Sequence, residues 1–226
     1  MSVIGFRILE RPVSAVTREQ LQQFATVGSA QISDCMGRLY GVDGLRPRHA
    51  MGPTRLVGLA FTVKTRPGDN LLIHKAIALA QPGDVLVVDG AGETTNALVG
   101  ELMAMDAEKR GLAGFVIEGA VRDADVFAQN SFPCFARAVS HRGPYKDGPG
   151  EINVPVSVGG QVVLPGDIMI GDADGLVVVP AQHAGEVLAA ALKKERDEGA
   201  IKEKIKAGIY AKPWVDSTIS ARKGMF

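Results

Sequence analysis

The sequence predicts a single compact α/β domain with a C-terminal helical extension, and three observations carry that expectation. Between residues 56 and 140, runs rich in β-branched residues alternate with segments of helical periodicity, the order that builds a sheet covered by helices. From residue 152 to residue 180 the texture changes to short β-branched runs parted by Gly-Gly, Pro-Gly-Asp and Asp-Gly, which signals antiparallel strands with tight turns. No low-complexity linker divides the chain, and a 46% hydrophobic content over 226 residues supplies one sizeable core.

In chain order, residues 14–39 read as helix in two pieces, with Thr17 as the first cap and Ser33 or Asp34 starting the second piece. "LVGLAFTVKTRP" (56–67) alternates and is β-branched, hence a strand. "NLLIHKAIALAQ" (70–81) is a helix ended by Pro82 and Gly83, and "DVLVVDG" (84–90) is a strand. "TTNALVGELMAMDAEKRG" (94–111) reads as one long helix stopped by Gly111. "AGFVIEG" (113–119) is a strand, "DADVFAQNS" (123–131) a short helix and "PCFARAVS" (133–140) another strand. The last helix spans 181–208, apolar first and then highly charged. Its charged half is either a solvated face or an arm reaching a neighbouring subunit. Pro-Gly-Asp occurs at 67–69, 82–84 and 165–167. The flanks share no fixed period, so the triplet reads as recurrent turn chemistry rather than a structural repeat.

Composition narrows the function classes. Twenty-five basic residues balance twenty-five acidic ones, with no basic cluster for nucleic acid or an anionic membrane surface. No run approaches the length of a membrane span, and "MSVIGFRILERPVS" lacks the apolar core of a signal peptide. Two cysteines, Cys35 and Cys134, have no metal-ligand spacing and read as buried thiols of a reducing cytoplasm.

Several stretches carry candidate chemistry. In "VLVVDGAGETTNALVGE" a strand ends in Gly90-Ala91-Gly92, the first half of a nucleotide-binding loop. The third glycine is missing and Glu93 stands where a pyrophosphate would, so a plain glycine turn is preferred. Gly100 sits either inside an ordinary helix with Glu101 on its wet side, the preferred reading, or at a restart of the helix. A restart would free the N–H groups of Leu102 and Met103 for an anion and put Glu101 beside a metal or its water. Arg122 and Asp123 follow a core strand; they form a surface ion pair or a site for a hard divalent cation and an anionic substrate. The four histidines have no ligand-spaced partners, and His141 lies in the polar loop "SHRGPYKDGPGEINVPV" (140–156), which could line a pocket. No serine-nucleophile elbow surrounds Ser140.

"GELMAMDAEKRGLAGFVIEGAVRDADVF" (100–127) resembles the G-[DE]-L-[LM]…G-x-x-G-x-V-[IV]-x-G-x-V-R-D segment of the RraA-like family. "PGDNLLIHKAIALAQPGDVLVVDG" and "INVPVSVGGQVVLPGDIMIGDADGLVVVP" are similar to its neighbouring segments, so the resemblance covers nearly the whole chain. It implies an αββα sandwich of the swivelling β/β/α type over 1–180, with 181–226 a helix and tail packing on a neighbouring subunit of a homotrimer or homohexamer. It also implies a class II pyruvate aldolase of 4-hydroxy-2-oxo diacids that decarboxylates oxaloacetate. Asp123 would bind Mg²⁺ or Mn²⁺ directly, and Glu101 would hold a metal-bound water. The N–H groups of Leu102 and Met103 would bind the substrate carboxylate, and Arg122 would face the keto or enolate oxygen. "DEGAIKEKIKAG" resembles the segment whose glutamate enters the adjacent subunit's site, which points to Glu198. The family's other branch, shorter and without this extension, regulates a ribonuclease through protein contacts, and that is the alternative.

Overall fold

The computed structural model describes residues 3–50, 52 and 55–222. The chain runs β1 (Phe6–Ile8), α1 (Arg18–Phe24), α2 (Ser29–Cys35), β2 (Gly41–Val42), β3 (Arg46–Pro47), β4 (Leu56–Thr65), α3 (Leu71–Leu79), β5 (Asp84–Asp89) and β6 (Ala97–Val99). It continues with α4 (Glu101–Lys109), β7 (Gly114–Val121), α5 (Ala124–Gln129), β8 (Cys134–Val139), β9 (Gly150–Ile152), β10 (Val156–Val158) and β11 (Gln161–Val163). It ends with β12 (Ile168–Asp172), β13 (Gly175–Val179), a 3₁₀ turn at Ala181–His183, α6 (Ala184–Lys206) and α7 (Pro213–Arg222).

The main sheet has the order β2-β13-β12-β4-β5-β7-β8-β3. β4, β5, β7 and β8 are parallel neighbours, joined by helical crossovers, while β12 runs antiparallel to both β4 and β13. Strand alternation sorts the side chains into layers. Val85 and Val87 of β5, Val116 of β7, Met169 of β12 and Leu176 and Val178 of β13 share one inner cluster with the β10–β11 hairpin. On the outer face, Leu86, Val88, Phe115 and Ile117 pack with α3, α4 and α5. Ile168, Ile170, Val177 and Val179 pack with α1, α2 and the first half of α6. β4 crosses between the halves: Val57 and Leu59 face the α1–α2–α6 cluster, and Phe61 and Val63 face the α3–α4–α5 cluster. The layers therefore read helix, sheet, sheet, helix, in agreement with the expected α/β class.

The expected cap at Thr17 is present: Thr17 Oγ1 accepts from the Gln20 N–H, and Gln20 Oε1 accepts from the Thr17 N–H. Each Pro-Gly-Asp triplet forms the same turn. The aspartate N–H donates to the carbonyl three residues back, at Arg66 (3.0 Å), Gln81 (3.0 Å) and Leu164 (3.1 Å). Proline and a positive-φ glycine fill the two central positions, as a type II turn requires.

Three expected boundaries differ. The second N-terminal helix starts at Ser29, not at Ser33 or Asp34, because Asp172 of β12 accepts both the Ser29 N–H (2.8 Å) and its hydroxyl (2.6 Å). The last helix proper starts at Ala184; residues 181–183 tighten into a 3₁₀ turn whose first N–H is taken by Asp167 (3.0 Å). The largest difference lies at 94–111, where the expected single helix is strand β6 followed by helix α4. Ala97, Leu98 and Val99 are at most 2% exposed, which a helix with a polar face could not satisfy, and they pair with the end of β7. Among the described residues no helix is long and apolar enough to cross a membrane.

Candidate active site

β7 is buried along its whole length and ends at Val121, where Arg122 and Asp123 leave the sheet. The Arg122 N–H still donates to Val99 O of β6 (3.0 Å), so this turn is tied to the neighbouring strand. Asp123 then adopts left-handed backbone angles (φ 59°, ψ 43°), which a short polar side chain tolerates, and α5 begins one residue later. Beside it, Gly100 closes β6 and opens α4. A Cβ at Gly100 would overlap the Asp123 carboxylate and the Arg122 side chain, so the missing side chain is what lets the two turns touch.

At that contact Asp123 Oδ2 accepts from the Glu101 N–H (2.8 Å), and Arg122 Nε lies 3.6 Å from the same oxygen. Helix α4 therefore begins directly after Gly100, at the end of a strand, contrary to the preferred reading of an uninterrupted helix. Of the two amides expected to be free, the Leu102 N–H has no partner among the described residues. The Met103 N–H donates to Gly100 O (3.2 Å), so one open amide remains rather than two. The Arg122 and Asp123 side chains keep 45% and 35% of their surface exposed, enough to meet a ligand.

Arg122 lines two clefts. One, of about 150 Å³, has Asn70, His74, Gly100, Leu102, Met103 and Lys146 in its walls. The other, of about 330 Å³, is lined by Arg122, Asp123, Val139, Ser140 and His141. The polar loop 140–149 serves both and is bonded along its length. Gly143 O accepts from Asn96 Nδ2, the Tyr145 N–H donates to Gly68 O (2.8 Å), and the Asp147 and Gly148 N–H groups donate to Asp69 Oδ2 (2.8 and 2.9 Å).

The fold thus brings together Arg122, Asp123, Glu101, Leu102 and Met103, and it puts His141 at the wall beside Asp123. It does not bring Glu198 there within one chain. Glu198 Oε2 accepts from Gln31 Nε2 of α2 (2.6 Å), and its other oxygen lies 3.7 Å from Lys194. Sequence reasoning missed Asn70, His74 and Lys146. His74 has no metal-ligand partner at local spacing, and the usable signal was the Pro-Gly-Asp-Asn turn, whose buried Asp69 pins the loop carrying Lys146. The glycine turn at 90–92 offers no phosphate cradle. The Gly90 and Gly92 N–H groups donate to Glu118 O, and the chain enters β6 rather than a helix.

Among the described residues no cluster of three or more His, Cys, Asp or Glu could hold a metal. The donor set still fits a hard divalent ion that keeps most of its waters, since Asp123 Oδ1 accepts no hydrogen bond among the described residues and the carboxylate reaches an open cleft.

The RraA-like family, described as Aldolase/RraA, matches residues 29–178. A protein of Halalkalibacterium halodurans, provisionally named a 4-hydroxy-4-methyl-2-oxoglutarate aldolase, is 38% identical over 192 residues, 84% of this chain and 90% of its own. Among solved structures, an uncharacterized protein from Pseudomonas syringae pv. tomato superposes with a TM-score of 0.78 at 30% identity, covering 87% of this chain and 96% of its own. An RNA-processing inhibitor RraA from Thermus superposes with a TM-score of 0.62 at 32% identity, covering 68% and 92%.

Proposed function

The chain belongs to the RraA-like family, and on that footing we propose that it is a divalent-metal-dependent aldolase. In this reading it cleaves a 4-hydroxy-2-oxo diacid to pyruvate and a second oxo acid, and it decarboxylates oxaloacetate. The observation that carries the reading is the meeting of the Asp123 carboxylate, the Arg122 guanidinium and the start of α4 at one glycine. The aldolase name of the Halalkalibacterium relative supports it.

Asp123 would hold Mg²⁺ or Mn²⁺ directly, and Glu101, with Glu198 from a neighbouring subunit of a homotrimer or homohexamer, would hold it through water. When bound, the ion supplies a Lewis acid for the substrate's keto oxygen. The open Leu102 amide and the positive end of α4 hold the C1 carboxylate. The guanidinium of Arg122 faces the C2 oxygen with donors already in place, so charge appearing there is met without reorganisation. In the cleavage step the C4 hydroxyl gives its proton to a base and its C–O bond becomes a carbonyl. The C3–C4 electron pair moves into the C2–C3 bond, and Arg122 holds the resulting enolate oxygen. Protonation at C3 then yields pyruvate. Oxaloacetate loses carbon dioxide to reach the same enolate.

Pyruvate release from both substrate types, measured with added Mg²⁺ or Mn²⁺, with chelator and with Asp123→Ala, tests the proposal. The expected result is release abolished by chelator and by the substitution. Release indifferent to both would remove the aldolase. It would favour a protein-binding regulator without catalysis, the reading to which the likeness to the Thermus RNA-processing inhibitor lends weight.

A further inference from the structure

Helix α6 turns polar on the face that packs against α2. Its buried residues end at Ala191. Lys194 and Glu198 continue that face by helical geometry, and their side chains are 33% and 35% exposed. Glu198 is held there by α2. Gln31 Nε2 donates to Glu198 Oε2 (2.6 Å), and Gln31 Oε1 accepts the Gly28 N–H (3.0 Å). The second bond fixes which way the amide points, so the end that meets Glu198 is the donor. The helix that carries Gln31 is itself fastened to the sheet, through Ser29 and Asp172 of β12. A continuous run of bonds thus leads from the sheet to one carboxylate.

The neighbouring lysine leaves that carboxylate half free. Lys194 Nζ lies 2.9 Å from Asp34 Oδ2 and 3.7 Å from Glu198 Oε1. Asp34 therefore draws the ammonium to itself, and Glu198 Oε1 accepts no hydrogen bond among the described residues. A contact that served only to tie α6 to α2 would pair Lys194 with Glu198 directly. Here an amide holds one oxygen and the other stays open.

We propose that Gln31 is a positioning residue for Glu198, holding one carboxylate oxygen so that the other meets the water on a neighbouring subunit's metal ion. The inference rests on the aldolase reading, in which Glu198 holds that ion through water. Gln31 touches neither substrate nor ion. Its amide removes rotamer freedom from a long side chain before the water arrives, which is what an outer partner contributes to a metal site.

Titration of the full-length protein with Mn²⁺, following the free ion by electron paramagnetic resonance, tests this without any turnover. Glu198→Ala and Gln31→Ala should each weaken Mn²⁺ binding about 10-fold. The double variant should bind no more weakly than Glu198→Ala, because Gln31 acts only through Glu198. Gln31→Glu separates positioning from capping. It keeps an acceptor for the Gly28 N–H and sets a second carboxylate against Glu198, so Mn²⁺ binding should weaken as in Gln31→Ala. Gln31→Glu that binds Mn²⁺ as wild type does, while Glu198→Ala binds it more weakly, overturns the positioning role alone and leaves Gln31 a helix cap. Binding indifferent to Glu198→Ala but lost in Asp123→Ala removes Glu198 from the metal site, and Gln31 with it, without touching the aldolase reading. Wild type that binds no Mn²⁺ overturns the aldolase reading itself.

Discussion

At Asp123 the backbone takes φ 59°, a left-handed conformation that costs a non-glycine residue on the order of 1 kcal/mol and is stable only where the surroundings impose it. Here the Glu101 N–H bond and the close approach of Gly100 do so. Gly100→Ala is therefore expected to push the Asp123 and Arg122 side chains apart and lower kcat/KM by about 10²-fold, the scale of an ångström-sized misplacement. Thermal unfolding should shift only slightly, because both displaced side chains have solvent to move into. Arg122→Lys keeps the charge and loses the planar donor fork, so it should also cost about 10²-fold in kcat at unchanged melting temperature. Retained activity in either variant would detach this contact from the chemistry.

Cys134 lies in β8 with no exposed surface, and burial pushes its thiol up to about 12. The folded value exceeds the unfolded one. The neutral thiol therefore stabilises the fold fully below the ordinary thiol value, and that contribution is lost as pH rises through about 12. Buried and held protonated, Cys134 should react with iodoacetamide only as fast as the protein opens. Mass-spectrometric labelling with and without urea checks this.

Among the elements, the loop between β8 and β9 depends most on a single side chain. The Asp69 carboxylate accepts the N–H groups of Leu71, Asp147 and Gly148 and pairs with Arg66, all from a fully buried position. Asp69→Ala leaves three backbone donors short of a partner. It should reduce stability by about 2–4 kcal/mol in urea titrations. The same change frees the loop that lines both clefts. β6 and α4 make a related point: the strand is decided by burial on both sides, and its abrupt end at Gly100 is what exposes the first turn of α4 to the cleft.

At the scale of the molecule, the helix–sheet–sheet–helix body is complete by the middle of α6, whose buried residues are Ala184, Val187, Leu188 and Ala191. Beyond it Ile205, Ile209, Trp214 and Ile219 remain exposed, and α7 buries no residue. Removing residues 209–226 should therefore leave the thermal unfolding of the body within a few degrees of the full chain, an effect on the order of 1 kcal/mol or less. Sedimentation of the two forms shows whether the exposed stripe is covered by another copy.

By itself the sequence determined the class of fold, the order of most strands and helices, the three Pro-Gly-Asp turns and the pairing of Arg122 with Asp123 after a core strand. These are local matters of periodicity, turn chemistry and capping, and they are legible because neighbours in the chain decide them. Residues 94–111 were not legible in this way, since an apolar triplet ahead of a glycine suits a strand or a helix equally until burial chooses. Only the tertiary structure decided that Gly100 touches Asp123, that Asp69 reaches the loop of Lys146, and that Gln31 of α2 holds Glu198 of α6. Each of these depends on residues far apart in the chain, and such contacts are set by how the layers pack rather than by any local pattern.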